Sequence, residues 1–121
     1  MSGYFEGKGL FINGIVHLSG REALEAVKTG ALFVDLRLPI ETDYKKFDVP
    51  EVLYIQAEDL PDRLGDIPCN RPVVLSDSVG LRSKEAVEFL MAKGYDNVAN
   101  LNGGILDWER DGLPIKVDPD K

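Results

Sequence analysis

Thiols and imidazoles are scarce in this chain: one cysteine, Cys69, and one histidine, His17, stand among 121 residues. A lone cysteine forms no internal disulfide and no multi-cysteine zinc site. A lone imidazole has no second ring for a metal pair or relay, so His17 is expected to be structural. No run approaches 18 apolar residues, which excludes a membrane-spanning helix. The opening Met1-Ser2-Gly3-Tyr4-Phe5-Glu6 lacks a basic stretch followed by an apolar one and is expected not to be a signal peptide. Positive charge is short as well, with 14 Lys and Arg against 21 Asp and Glu, a net charge of −7. An acidic surface repels phosphate backbones and anionic headgroups, so neither nucleic acid nor a membrane is an expected partner. The nearest thing to a basic cluster, Lys45 and Lys46, is flanked by Asp43 and Asp48. These absences lead to an expectation of cytoplasmic residence, with no metal and no cofactor.

What is present is a short-range alternation of elements in a length that fits one domain. Leu10-Phe11-Ile12 and Ile15-Val16-His17-Leu18 flank Asn13-Gly14, a pair suited to the positive φ angles of a type I′ hairpin turn. Ser19-Gly20-Arg21-Glu22 reads as a capping box opening a helix through Val27, with Gly30 as its stop. Ala31 to Val34 and Pro72 to Leu75 are continuous apolar runs of the kind buried in parallel sheets. Leu53-Tyr54-Ile55 and Val98 to Leu101 are further strands. Helices are predicted over Glu58 to Leu64, Ser83 to Lys93 and from Gly104 past Trp108. Strands alternating with helices imply an α/β fold with right-handed parallel crossovers. Ligand sites in such sheets lie beyond the carboxyl ends of the strands, where Asp35, Arg37 and the 76–82 loop fall.

The loop Ser76-Asp77-Ser78-Val79-Gly80-Leu81-Arg82-Ser83 joins a buried strand to a helix N-terminus. Gly80 permits positive φ, consecutive main-chain N–H groups can converge as an anion cradle, and Arg82 can add a bidentate donor. Read without further context, it is an oxyanion cradle or a plain strand-to-helix turn. No base stands in the loop to activate Ser76 or Ser78, which favours hydrogen-bonding roles for both. Cys69 precedes the strand rather than following it and reads as a small loop residue.

The run Asp77-Ser78-Val79-Gly80-Leu81-Arg82-Ser83 resembles the rhodanese loop pattern Cys-x-x-Gly-x-Arg-Ser, with aspartate at the cysteine position. Leu32-Phe33-Val34-Asp35-Leu36-Arg37 is similar to that family's Asp-x-Arg strand end. Gly94-Tyr95-Asp96-Asn97-Val98-Ala99-Asn100-Leu101-Asn102-Gly103-Gly104 through Trp108, followed by Gly112-Leu113-Pro114, is similar to its C-terminal signature. One stretch departs: Lys46 to Val52 lacks the family's histidine.

The resemblance implies a three-layer α/β/α domain with a central, mostly parallel, twisted sheet over residues 15–115. Residues 1–14 would be an N-terminal extension or hairpin and 116–121 a tail. It places the site at Asp77, Ser78, Val79, Gly80, Leu81, Arg82 and Ser83, supported by Asp35 and Arg37. A carboxylate forms no persulfide, so this reading expects no catalytic residue and a chain that is not an enzyme. It would instead be a binding or regulatory module whose Asp77 fills the cradle, with an unknown protein or small ligand docking at the loop. The alternative is an enzyme of different chemistry there, through carboxylate phosphorylation or a metal.

Overall fold

Parallel strands need both faces covered, and the four-residue strands of this chain are built for that. A computed structural model describes residues 4–118. Leu32–Asp35 (β3), Val73–Ser76 (β6) and Val98–Leu101 (β7) are buried at every position. Leu10–Ile12 (β1), Ile15–Leu18 (β2) and Val52–Tyr54 (β5) complete a six-stranded sheet of order β1-β2-β7-β6-β3-β5. Only the β1–β2 pair is antiparallel; the other four pairings are parallel. Gly20–Lys28 (α1) and Gly104–Arg110 (α4) pack on one face around Leu18, Phe33, Val74, Ala99, Leu101 and Trp108. Leu81–Ala92 (α3) and two 3-10 turns, Ala57–Asp62 and Leu64–Asp66, cover the other face around Val34, Leu75, Val87 and Leu90. This is the three-layer α/β/α arrangement with a mostly parallel sheet.

The local chemistry explains the first elements. Asn13 and Gly14 take φ of +52° and +83°, turning β1 into β2. Ser19 Oγ then accepts from Glu22 N at 3.2 Å while Glu22 Oε1 accepts from Ser19 N at 2.9 Å. Glu22 Oε2 also accepts from Gly9 N at 2.8 Å, so one carboxylate ties the hairpin to the helix start. A boundary at residue 14 thus falls inside the hairpin, whose outer strand belongs to the central sheet.

Three elements were not expected: Pro39–Tyr44 (α2), Lys45–Phe47 (β4) and Ile115–Val117 (β8). Pro39 at the first helical position was the available signal for α2. Each of the two strands is three residues long, too short to show a period, and they exist through each other as an antiparallel pair. This corrects the tail expected at 116–121. Residues 116 and 117 are strand, and Asp118 N donates to Tyr44 O at 2.8 Å; Pro119, Asp120 and Lys121 lie outside the described residues. The pair carries Phe47 into the core, where it meets Phe33 and Trp108 at ring-centre distances of 4.5 and 5.2 Å. The α3 helix starts at Leu81, two residues earlier than predicted, with Gly80 at φ +93° as its cap.

Replacing Ser19 by Ala removes the cap and is expected to cost about 1 kcal/mol, read as a lower urea midpoint at unchanged slope. The two main-chain donors hold the Glu22 carboxyl below its ordinary pKa of 4.5. The contribution of its ionised form is therefore complete above pH ~4.5 and lost as pH falls through the lower folded value. In Glu22→Gln that part of the acid-side decline is expected to vanish.

Candidate functional site

The registers of the sheet bring the site's parts to one end. Asp35 pairs with Ser76, and Leu75 and His17 both pair with Asn100. Leu36 N donates to Ser76 O at 2.9 Å, and Ser76 Oγ donates to Val34 O at 2.9 Å, locking β3 to β6 where both strands finish. The chain then turns through 77–80 into α3.

Asp77 is 5% exposed, and its carboxylate lies inside the turn. Oδ1 accepts from Gly80 N at 2.5 Å, and Oδ2 accepts from Arg82 N at 2.8 Å. Ser83 Oγ stands 3.3 Å from Oδ1. The loop's donors thus converge on an anion, and the anion is the protein's own. The expected contact from the Arg82 guanidinium is corrected: Arg82 reaches Asp77 through its main-chain N–H, because the helix start aims that group inward while the side chain is exposed. Both oxygens of Asp77 are thus engaged by main-chain donors, while Asp77 still lines the pocket above the turn. Among the described residues no three His, Cys, Asp or Glu side chains are grouped to hold a metal.

Close packing holds the turn from beneath. Ile105 N and Leu106 N donate to Asp77 O and Ser78 O at 3.0 and 3.1 Å. A Cβ on Gly104 would lie 2.5 Å from Ser78 O, and one on Gly80 would lie 2.8 Å from Gly103 N. Glycine at 80 and 104 is therefore what lets α4 seat against the loop.

Asp35 and Arg37 form the flank. Asp35 is fully buried and Arg37 is 7% exposed, and they pair at 2.9 Å and 3.1 Å through two guanidinium nitrogens. Arg37 Nη2 also donates to Lys45 O at 2.8 Å, and its guanidinium lies 5.5 Å from the Phe47 ring centre. The pair pins the 38–47 segment, whose Glu41 accepts from Ser78 Oγ at 3.0 Å. Glu41 was not anticipated; it lies 36 residues before Asp77 in sequence (77 − 41) and belongs to no motif.

A pocket of about 340 Å³ opens above these groups, lined by Leu36, Arg37, Leu38, Glu41, Asp77, Ser78, Val79, Leu81 and Arg82. Leu38, Val79 and Leu81 expose apolar side chains at its rim. A concavity of similar size, about 350 Å³, lies at the opposite end of the sheet beside Arg71, Glu51 and Pro68. Cys69 is exposed on that end, ahead of β6, so the chain's one thiol is separated from the 77–83 loop by the length of that strand.

The histidine is not isolated. Its Nδ1 lies 3.1 Å from Asn100 Nδ2, and Asn100 Oδ1 accepts from Ser83 Oγ at 2.5 Å. Burial, with the Lys84 ammonium second, holds His17 below its ordinary pKa of 6.5.

Sequence comparison agrees with this architecture. A rhodanese-like domain model matches residues 19–111, and the chain belongs to that family. A protein of Allochromatium vinosum named sulfurtransferase is 42% identical over 84 residues, covering 69% of this chain and 77% of its own length. The thiosulfate sulfurtransferase GlpE of Haemophilus influenzae is 29% identical over 102 residues, covering 81% and 91%. A rhodanese-related protein of Thermoplasma volcanium shares the fold, with a TM-score of 0.75 at 24% identity over 84% of this chain and 98% of that one. These relatives correct the expectation that the chain is not an enzyme: sulfurtransferases at 42% and 29% identity point to an enzyme. No helix among the described residues is long and apolar enough to cross a membrane.

Arg37→Met leaves the Asp35 carboxylate buried without its partner and is expected to cost about 3–5 kcal/mol in urea unfolding. Asp35→Asn added to Arg37→Met removes the orphaned charge and is expected to return most of that loss.

Proposed function

We propose that the pocket above the 77–83 loop is the ligand-binding site of this domain, and that it promotes sulfur transfer directly between two bound molecules. In that reaction an acceptor thiolate, or cyanide, attacks the outer sulfur of a sulfane donor such as thiosulfate. The new bond forms to that sulfur, the donor's S–S bond breaks, and the leaving group, sulfite, departs with the bonding pair. Residue 77 forms no bond at any stage.

The observation that carries this reading is the Asp77 carboxylate seated on Gly80 N and Arg82 N, where the resemblance puts the family's cysteine. A carboxylate holds no sulfane sulfur, and Cys69 stands at the other end of β6. The relatives' names supply the reaction class. What the pocket contributes is proximity, by holding donor and acceptor together. Arg82, exposed and lining the pocket, suits the oxyanion of the donor. The apolar rim of Leu38, Val79 and Leu81 favours an acceptor thiol carried by a protein surface or an apolar molecule over a bare anion.

Direct transfer is expected to give sequential kinetics with thiosulfate and either cyanide or a small thiol. Intact-mass measurement after thiosulfate alone is expected to show no sulfur added to the wild-type chain. Asp77→Cys places a thiol on the same donors and is expected to gain one sulfur at residue 77 and to shift to ping-pong kinetics. A sulfur adduct on the wild type, or no turnover with either acceptor, would overturn the proposal.

A further inference from the structure

A chain of polar side chains runs from the cradle across the sheet to the single histidine. Asp77 Oδ1 faces Ser83 Oγ at 3.3 Å, Ser83 Oγ meets Asn100 Oδ1 at 2.5 Å, and Asn100 Nδ2 meets His17 Nδ1 at 3.1 Å. Asp77, Ser83 and Asn100 are all buried. The direction of each bond follows from the inventory of donors. An amide nitrogen only donates, so Nδ1 accepts and the neutral ring carries its proton on Nε2. An amide oxygen only accepts, so the Ser83 proton goes to Asn100. Ser83 has one proton, and while Asn100 holds it the Asp77 carboxylate does not receive it.

Protonating His17 places a second donor opposite Asn100 Nδ2. The clash is relieved by a half-turn of the amide. Oδ1 then accepts from Nδ1–H, and Nδ2 donates to Ser83 Oγ, leaving the Ser83 proton to turn onto Asp77 Oδ1. Gly80 O, 3.4 Å from Nδ2in the present arrangement, loses that donor. The His17–Asn100 and Asn100–Ser83 bonds reverse together and a Ser83–Asp77 bond forms, which makes the chain a two-state element.

We propose that His17 is a positioning residue for the loop: through Asn100 and Ser83 its protonation hands the Ser83 hydroxyl proton to Asp77 and tightens that carboxylate's hold in the cradle. The inference rests on the reading in which Asp77 fills the cradle. Its consequence is that the pocket's floor carries a less available negative charge in mild acid than at neutral pH.

The charges around His17 leave the relay as its route to the loop. His17 shares with Ile15 the face of β2 that α3 covers, and from α3 comes Lys84, itself 3.6 Å from Glu88. From β1 and β7 the paired residues are Leu10 and Asn100, neither of which titrates. The α1 helix, with Arg21, Glu22, Glu25 and Lys28, packs on the opposite face of the sheet with Val16 and Leu18. Burial, and after it the Lys84 ammonium, hold the folded pKa below 6.5, so the switch operates on the acid side of neutrality.

The test is a pH titration by NMR in which the sole imidazole gives an unambiguous signal. The resonances of the Asp77 carboxyl carbon and the Arg82 amide are expected to follow the His17 midpoint in the wild type. In Ser83→Ala the imidazole is expected to titrate while the response of both reporters is lost. His17→Gln, which does not titrate, is expected to abolish it as well, and serves if Ser83→Ala does not fold. Reporters that ignore the His17 midpoint in the wild type, or that follow it as far in Ser83→Ala, overturn the relay. Scalar coupling across the Arg82 N–H to Asp77 hydrogen bond reads the cradle separately. Its absence sinks the filled cradle itself, whereas its presence without cross-titration sinks the relay alone.

Discussion

Two main-chain N–H groups closing on one carboxylate organise the end of the sheet where β3 and β6 finish. Gly80 N and Arg82 N point into the turn because Gly80 takes a left-handed φ and α3 begins at once. Without an acceptor, Gly80 N would be a buried donor with no partner, and a buried unsatisfied N–H costs about 1–3 kcal/mol. Asp77 meets that need from within the loop. The same bonds fix where the helix starts, which sets Ser83 beneath the carboxylate and Leu81 and Arg82 at the pocket mouth. One contact therefore satisfies the backbone, places the helix and sets the charge of the pocket floor.

Much of this was legible in the residues. The Asn13-Gly14 turn, the Ser19–Glu22 cap and the buried runs of β3 and β6 each carry a local signal that tertiary structure had no reason to override. The loop was legible too, because a glycine four residues past the strand and a helix directly after it leave few paths for the chain. What stayed hidden is non-local. Glu41 reaches Ser78 only because the buried Asp35–Arg37 pair anchors the intervening segment to Lys45 O. The β4–β8 pair joins residues some seventy positions apart (116 − 46), and neither strand has a pattern of its own. His17 read as structural because sequence offers no way to see that Asn100 is its register partner.

The two flanks of the pocket are held by different physics. On the Asp35–Arg37 side the charges are buried against each other, and the guanidinium also rests against Phe47. That side is fixed: removing either partner strands a charge in the interior. On the α4 side the loop carbonyls accept from Ile105 N and Leu106 N, and contact is close enough that only glycine fits at 104. Rigid supports on both sides suit the transfer proposed above, since a reaction between two bound molecules depends on their relative placement more than on any attacking group of the protein.

Between those fixed walls the floor is the one part with an alternative state. Ser83 has two acceptors within reach, Asn100 Oδ1 and Asp77 Oδ1, and a single proton to give. Asn100 can present either end of its amide, and His17 decides which end fits. A core built of apolar side chains would have no such choice, because packing admits one arrangement, whereas a hydrogen-bonded chain of matched donors and acceptors admits two of opposite polarity. Asp77 places a carboxylate at the floor of the pocket. The strength with which the protein engages that anion then follows from the protonation of a ring two strands away, β2 against β6 across β7.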